Sequence, residues 1–172
     1  MKYRSLQEHE INRELFRDFI RRQVVTKCWR RENGEWLIKD APFIDDWTEQ
    51  DYEVLIECLK RTVRTGGLVY GAFYEEKLKG FAAVLPEIFG RENKYIDLAA
   101  IHVSQDMRGT GIGTVLFKEA KRWAKEKVRR NFIFLLTPLW KARRFINAWA
   151  ALRRYGTKRS MWKKSRLTVS WK

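Results

Sequence analysis

The chain of 172 residues is poor in several residue types that mark particular classes of protein. Its two cysteines, Cys28 and Cys58, lie in no metal-like spacing, so we expect buried free thiols and no disulfide framework. Two histidines offer little for a metal site, and we expect none. No apolar run is long enough to cross a bilayer and no charged-then-apolar leader begins the chain. These absences predict a cytoplasmic protein of one domain with no membrane partner.

Acidic residues are missing from the C-terminal part of the chain. Residues 128–172 hold thirteen Lys and Arg and no Asp or Glu, whereas the whole chain has 36 basic and 21 acidic residues. Residues 1–127 therefore carry a net charge of only +2, and most of the formal +15 belongs to this tail. Tails of this charge bind nucleic acid in other proteins, so a basic nucleic-acid-binding protein is the alternative function.

A strand, a glycine-rich loop and a helix follow one another in the middle of the chain. Tyr95 to Val103 is a short apolar run with several β-branched residues, which predicts a buried strand. Apolar residues then recur at helical spacing as far as Ala124, so a helix is predicted to begin near Gly111. Between the two lies the segment Arg108-Gly109-Thr110-Gly111-Ile112-Gly113.

This arrangement is suited to holding phosphate groups. The first N–H groups of a helix have no partner inside it, and the helix dipole adds partial positive charge there. Glycines let the backbone approach a pyrophosphate closely, and Arg108 adds a cation. The spacing G-x-G-x-G differs from the Rossmann pattern G-x-G-x-x-G, and the loop lacks the lysine of a Walker motif. The loop therefore predicts a phosphate site of another kind.

The sequence resembles the GNAT superfamily of N-acetyltransferases. The family signature Arg/Gln-x-x-Gly-x-Gly/Ala, between a strand and a helix, is matched by residues 108–113. The runs 68–74 and 78–85, joined by a turn, are similar to the hairpin of the second and third family strands. The resemblance covers residues 1–127, with the acetyl-CoA-binding core at residues 95–127. It implies an α/β fold of the α+β type, with a mixed, mostly antiparallel sheet and helices on both faces.

The resemblance also implies an activity and a cosubstrate. The chain would transfer an acetyl group from acetyl-CoA to a primary amine of an unidentified acceptor, acting as a monomer or homodimer. The backbone of Ile101, His102 and Val103 would pair with the pantetheine arm, and an N–H near Val103 would polarise the thioester carbonyl. The pyrophosphate would be held by Arg108, Gly109, Thr110, Gly111, Ile112, Gly113 and Thr114.

Three residues are candidates for the base that takes the proton from the acceptor amine. Members of the family often use a carboxylate, which points to Asp97 on the predicted strand and Glu87 in the loop before it. Each of these is either that base or a solvated surface charge. His102 has a suitable intrinsic pKa. It lies on the face opposite to that of its two neighbours, and the sequence leaves open which face lines the cleft.

Local patterns predict the elements of the N-terminal part. We expect a first strand within residues 1–7, a helix with one apolar face over residues 11–24 and an ordered loop over residues 28–47. The tryptophans of that loop either line the acceptor site or pack the loop.

A second helix and a second loop are predicted further along. Thr48 and Asp51 are spaced as a capping box, which predicts a helix that ends at Gly66-Gly67. Residues 86–94 are expected to form a loop that leads into the strand at Tyr95.

The tail departs from the family pattern. After residues 131–136, which fit a fifth strand, it has four tryptophans among basic residues and no tyrosine where the family places its acid. We therefore hypothesise that residues 128–172 are an aberrant segment, translated in a shifted reading frame. Each shifted codon consists of the last base of one residue's codon and the first two bases of the next codon. At five places this fixes the residue that the shifted frame encodes. Glu results at Trp140-Lys141, Trp162-Lys163 and Trp171-Lys172, Gly at Trp149-Ala150, and Val at Met161-Trp162.

Overall fold

The computed structural model describes residues 1–32, 35–89, 95–127 and 133–135. This part of the chain contains two α-helices, α1 (Glu49–Arg64) and α2 (Ile112–Lys127). Short 3-10 helices occupy Glu8–Glu10, Glu14–Phe16 and Gln105–Met107. The strands are β1 (Lys2–Ser5), β2 (Gln23–Glu32), β3 (Glu35–Asp45), β4 (Leu68–Tyr74), β5 (Lys77–Phe89), β6 (Tyr95–Val103) and β7 (Ile133–Leu135).

Five strands form the central sheet, in the order β1-β4-β5-β6-β7. Neighbours in it are antiparallel except β6 and β7, which are parallel and pair only over residues 95–97. β2 and β3 form a separate two-stranded antiparallel sheet. The predicted fold class, a mixed and mostly antiparallel α+β arrangement, is confirmed. The first strand, the hairpin β4–β5 and β6 lie where the sequence predicts them.

Helix α1 begins and ends as predicted because both of its ends are capped. The hydroxyl of Thr48 accepts a hydrogen bond from the N–H of Asp51 at 3.3 Å, and the Asp51 carboxylate accepts one from the N–H of Thr48 at 2.8 Å. At the other end Gly66 has a φ of 87°, a left-handed conformation that stops a helix. The buried face of the helix includes Tyr52, Ile56 and Leu59.

Each face of the central sheet is covered by one helix. On the first face, α1 packs with the N-terminal segment and with side chains of β4 and β5, in a cluster that includes Phe16, Phe19 and Phe81. On the second face, α2 packs with the opposite side chains of β4 and β5 and with β6. Full burial of a large apolar side chain stabilises the fold by about 1.5–3 kcal/mol. The two clusters therefore hold the helices on the sheet.

The N-terminal region differs most from its prediction. The helix predicted over residues 11–24 is wrong, because only residues 14–16 form a 3-10 turn there and β2 begins at Gln23. Ile11, Phe16 and Phe19 are buried as a helix face would be, but Ile20 and Val24 are exposed at 44% and 49%. A compact irregular segment can bury the same residues as a helix, so the apolar spacing was misleading.

The ordered loop predicted over residues 28–47 is also wrong. Most of it belongs to the hairpin of β2 and β3, which pair from Gln23 with Asp45 to Glu32 with Glu35. The dipeptide Asn33-Gly34, between the two strands, was the sequence signal for a hairpin. Its own structure lies outside the described residues.

Two smaller differences concern β5 and Cys58. β5 continues through Pro86 to Phe89, so the first part of the loop predicted over residues 86–94 is strand, and residues 90–94 lie outside the described part. Cys58 is exposed, not buried, and the side chain of Cys28 is not among those described. The strand predicted over residues 131–136 is present as β7. Among the described helices, none is long and apolar enough to span a membrane.

Candidate active site

The glycine-rich loop lies open at the N-terminus of α2. Gly109 and Gly111 have φ of 85° and 88°, which residues with a side chain rarely adopt. A Cβ placed on either glycine would meet no described atom within 4 Å. Within the described part of the chain, the N–H groups of residues 109–111 donate to no acceptor, and the first N–H groups of α2 have none inside the helix. The loop therefore presents unpaired donors beside the positive end of the helix dipole.

A second glycine brings the start of α2 close to the sheet. Gly80 lies on β5, and a Cβ there would be 2.8 Å from Cγ2 of Ile112 and 3.1 Å from Cδ1 of Leu116. Ile112 and Leu116 are buried in the cluster under α2. The bare backbone at Gly80 thus allows the first turn of the helix to rest directly on the strand. This contact fixes where the loop and the helix terminus stand.

Arg108, the predicted phosphate cation, directs two of its donors towards the protein. Its Nε donates to the carbonyl of Val103 at 3.1 Å, and its Nη2 donates to the carbonyl of Arg21 at 3.0 Å. Burial and the nearby Arg21 guanidinium lower the pKa of Arg108 from its ordinary value. The residue is nevertheless exposed, so its remaining N–H groups are accessible beside the loop. Arg108 therefore joins the glycine loop to the segment that contains Arg21.

β6 contains a bulge where it passes β5. Ala83 pairs with Ala100 and Val84 pairs with Leu98, so Ala99 has no partner on β5. A bulge of this kind bends a strand and changes which side chains share a face.

The bulge places Asp97 and His102 on the same face of the sheet. The two neighbours of Asp97 in β6 pack under α2, and so do the two neighbours of His102. Because side chains alternate along a strand, the side chains of Asp97 and His102 both lie on the other face, which α1 covers. In a regular strand, residues 97 and 102 would lie on opposite faces, because side chains alternate. Two of the three base candidates therefore share one face, and the sequence alone did not show this.

Among the described strands, one edge of β6 is paired only at its beginning. β5 covers one edge, but β7 pairs with the other only at residues 95–97. Among the strands that the structure describes, none pairs with this edge from Leu98 to Val103. The open edge leads to the glycine loop, and it includes Ile101, His102 and Val103. It can accept an extended ligand by backbone hydrogen bonds.

Three residues form a cluster with His102, on the face of α1. The ring of Trp47 stands edge-to-face to His102, with centroids 4.9 Å apart, and the guanidinium carbon of Arg21 lies 4.8 Å from the Trp47 centroid. Nη2 of Arg21 bonds to Oδ2 of Asp45 at 2.5 Å. Arg21 is only 6% exposed, and its Nε has no partner among the described residues. We call Arg21, Asp45, Trp47 and His102 the Trp47 cluster.

The Trp47 cluster keeps His102 neutral. Burial against Trp47 and Phe81, and the charges of Arg21 and Arg108, lower the pKa of His102 from 6.5 to about 3. The ring is therefore unprotonated at neutral pH. It can accept a hydrogen bond, but its low pKa makes it a weak proton acceptor for an amine.

The two candidate carboxylates differ in their surroundings. Asp97 is half-buried, and burial raises its pKa above the ordinary 3.8. Glu87 is exposed. It lies where the pairing of β5 with β6 is irregular, because three residues of β5 stand opposite the single residue Asp97 of β6. The environment of Asp97 is therefore the one that makes a carboxylate a stronger proton acceptor.

Sequence reasoning missed two members of the cluster. Nothing in the local pattern marks Arg21, which lies in an irregular segment, or Asp45, which ends β3. Trp47 was noted, with packing and acceptor binding both open. Its contacts with Arg21 and His102 join residues that are far apart in the chain, which no local pattern could show. Among the described residues, no cluster of His, Cys, Asp or Glu could hold a metal ion.

The sequence matches the acetyltransferase (GNAT) family over residues 28–147. The chain belongs to this family. Membership makes it an N-acetyltransferase that uses acetyl-CoA, and the open helix terminus fits the pyrophosphate of that cosubstrate. No curated protein matches the sequence significantly.

Solved acetyltransferases share the fold of this GNAT chain. An acetyltransferase for streptothricin from Bacillus anthracis str. Ames, solved with acetyl coenzyme A, aligns with a TM-score of 0.62 and 18% identity, over 86% of this chain and 81% of its own. A ribosomal-protein-alanine N-acetyltransferase from Brucella melitensis biovar Abortus 2308 aligns with a TM-score of 0.58 and 15% identity, over 92% and 97%. An aminoglycoside 6′-N-acetyltransferase from Acinetobacter haemolyticus aligns with a TM-score of 0.55 and 14% identity, over 92% and 94%.

Proposed function

We propose that this GNAT protein transfers the acetyl group of acetyl-CoA to a primary amine that binds on the face of Asp97 and the Trp47 cluster. Arg108 and the loop from Gly109 to Thr114 hold the pyrophosphate, and the open edge from Ile101 to Val103 pairs with the pantetheine arm. The observation that carries the proposal is the glycine loop, where the N–H groups of residues 109–111 have no acceptor among the described residues and lie at the N-terminus of α2.

Asp97 is the proton acceptor in this proposal. An amine attacks the thioester only when it is neutral, so a group must take its proton, directly or through a water molecule. The raised pKa of Asp97 suits it to this role, and the bulge at Ala99 puts it on the face of α1, where we propose that the acceptor binds. His102 stays neutral and lines the same face, while Glu87 remains in solvent.

Binding of acetyl-CoA tests the loop, and the chain offers a matched control. Gly111→Asp puts a carboxylate where the pyrophosphate would lie, at a φ of 88° in open space. Gly66→Asp creates the same strain, at a φ of 87° in open space, at the far end of α1. Calorimetry should show acetyl-CoA affinity falling at least about a hundredfold in the first variant and little in the second. Equal affinities in the two variants would overturn the loop assignment.

The acceptor is a separate question. The structural relatives are named for streptothricin, an aminoglycoside and a ribosomal-protein alanine, all of which present amines. We therefore propose a panel of these two antibiotic classes and of peptides that begin with alanine, assayed by release of free CoA thiol. Acetylation of a peptide and of neither antibiotic class would place the acceptor among proteins, and the reverse would place it among small amines.

We also infer that the tail is read in a shifted frame, and that residues 1–127 are the functional domain. The family match ends at residue 147, and the last part of the basic tail lies beyond it. Residues 128–147 lie within the match, so sequencing the gene in close relatives is the direct test. An intact frame that encodes the same basic tail would overturn the inference. In that case, salt-sensitive DNA binding that disappears on truncation after Lys127 would support the nucleic-acid alternative.

A shifted frame has a consequence for activity. The chain would lack the tyrosine that the family uses to protonate the departing thiolate. We therefore expect weak acetyl-CoA binding and turnover far below the roughly 10 per second that is typical of enzymes. A frame-restored gene should recover both, and an unchanged turnover after restoration would contradict the inference.

A further inference from the structure

The segment from Asp18 to Arg21 is tied to the residues that follow β6. The N–H of Gln105 donates to the carbonyl of Ile20 at 2.8 Å, and Nη2 of Arg108 donates to the carbonyl of Arg21 at 3.0 Å. These contacts join positions more than eighty residues apart in the chain. The N-terminal segment is thus attached to the turn that leads into the glycine loop.

Three side chains complete this attachment, and we call them the clasp. Oγ of Ser104 accepts a hydrogen bond from the N–H of Ile20 at 2.9 Å and donates one to Oδ1 of Asp106 at 2.5 Å. Nζ of Lys79 donates to the carbonyl of Asp18 at 2.9 Å and to Oδ2 of Asp106 at 2.7 Å. The clasp is therefore Lys79, Ser104 and Asp106.

The clasp is buried where it touches the N-terminal segment. Ser104 is fully buried and Lys79 is 7% exposed, so removing a partner leaves a polar group without solvent to replace it. The paired Lys79 and the Ser104 hydroxyl lower the pKa of Asp106, which keeps its carboxylate charged. No member of the clasp belongs to either apolar cluster. The contacts of the clasp instead fix the backbone of the segment that immediately precedes Arg21.

The side chain of Arg21 connects this backbone segment to the proposed acceptor face. Its guanidinium bonds to Asp45 at the end of β3 and lies over Trp47, which in turn packs on His102. A shift of residues 18–21 would therefore move the whole Trp47 cluster. By contrast, the backbone of the glycine loop is positioned by the contact of α2 with Gly80, although the Arg108 side chain also bonds to the carbonyl of Arg21.

We propose that Lys79, Ser104 and Asp106 are positioning residues for the acceptor amine, which hold the Trp47 cluster against the face of β6 where Asp97 lies. This inference rests on the proposed function, because that function makes this face the acceptor site. It assigns the three residues to the acceptor side although all of them lie beside the cosubstrate loop. Their loss should loosen the Trp47 cluster and leave the acetyl-CoA site formed.

The two histidines of the chain provide a direct test that needs no acceptor. In the full chain with ¹³C-labelled histidine, only His9 and His102 give ring signals, and His102→Gln assigns them. The Trp47 ring current should displace the His102 signal. In Ser104→Ala and Asp106→Ala, we expect that signal to move towards the free-histidine position, while the acetyl-CoA dissociation constant changes less than about threefold.

The control separates positioning from general loss of stability. Thr62→Ala also removes a buried hydroxyl, which donates to the carbonyl of Cys58 on α1, away from the clasp. It should leave the His102 signal in place. The proposal is overturned if the signal stays fixed in folded Ser104→Ala and Asp106→Ala, or if Thr62→Ala moves it equally.

Two further details keep the test decisive. Asp106 is exposed on its outer side, so Asp106→Asn provides a milder variant if Ser104→Ala does not fold. If neither the native chain nor the frame-restored protein binds acetyl-CoA, the proposed function fails, whereas the His102 signal still reports on the clasp.

Discussion

The cosubstrate side and the acceptor side of this protein are built in different ways. The cosubstrate side, from β6 through the glycine loop to α2, is continuous in sequence, and its parts are neighbours in the chain. The proposed acceptor side combines the contacts among Arg21, Asp45 and Trp47 with Asp97, which lies on the same face of β6 as His102, and these residues come from three separate regions of the chain. The first is organised by local backbone rules and the second by long-range contacts. Substitutions on the two sides should therefore have separable effects.

The largest expected effect separates chemistry from binding. Asp97→Asn should lower turnover at least about a hundredfold, because general-base catalysis contributes that much or more, while acetyl-CoA binding persists. Glu87→Gln is the control and should leave turnover nearly unchanged. The comparison needs an amine that the chain acetylates, in a frame-restored gene if the tail proves aberrant. Equal losses in the two variants would remove Asp97 from its proposed role.

Asp97→Asn should also stabilise the protein at neutral pH. Its pKa is raised in the folded state, so the folded chain holds this proton more tightly than the unfolded chain. Stability is therefore lost as the pH rises from the ordinary pKa of 3.8 through the raised value. The gain should be present at pH 7 and disappear below the ordinary pKa, as measured by urea unfolding. A loss of stability at pH 7 would contradict this reading.

The next prediction concerns a substitution that should affect the cosubstrate side alone. Gly80→Ala places a Cβ 2.8 Å from Ile112, which should cost roughly 1–3 kcal/mol of unfolding free energy and weaken acetyl-CoA binding by displacing the start of α2. Gly71→Ala is the control, because its Cβ would be 2.8 Å from the Phe73 ring, on the other side of the hairpin from α2. It should lower stability without a comparable loss of affinity. If the two variants bound acetyl-CoA with equal affinity, Gly80 would have no specific role in positioning the loop.

A pH effect should report on the acceptor side. The pKa of His102 falls from 6.5 to about 3 in the folded chain, so only the unfolded chain gains that proton as the pH drops through this window. This contribution to stability is complete above pH 6.5 and is lost progressively towards pH 3. His102→Gln should make stability less dependent on pH between 7 and 4. A pH dependence as steep in His102→Gln as in the native chain would contradict this expectation.

The smallest effect tests a part that belongs to neither side. Thr48→Ala removes the N-cap of α1 and should lower the free energy of unfolding by about 1 kcal/mol. Because α1 packs in the cluster on the face of the sheet opposite to α2, acetyl-CoA affinity should stay the same. A marked loss of affinity would show that the two sides are less separate than the contacts indicate.

The agreement between prediction and structure follows the same division. The capped helix α1, the hairpin β4–β5 and the order β6, loop, α2 were predictable, because capping and periodicity act over a few residues. The hairpin β2–β3 was not predicted although Asn33-Gly34 lies between its strands, because this dipeptide, Pro42 and three tryptophans together favour an ordered loop.

By itself, the sequence determined the glycine loop and the helix that follows it, since three glycines and a helical apolar pattern act within one short stretch. Only the tertiary structure decided that Asp97 and His102 share one face of β6, the face that we propose for the acceptor. That choice depends on the bulge at Ala99, which is a property of the pairing with β5, and on the burial of Arg21 beside His102. Both arise from contacts between distant parts of the chain, and such contacts leave no periodic trace in the sequence.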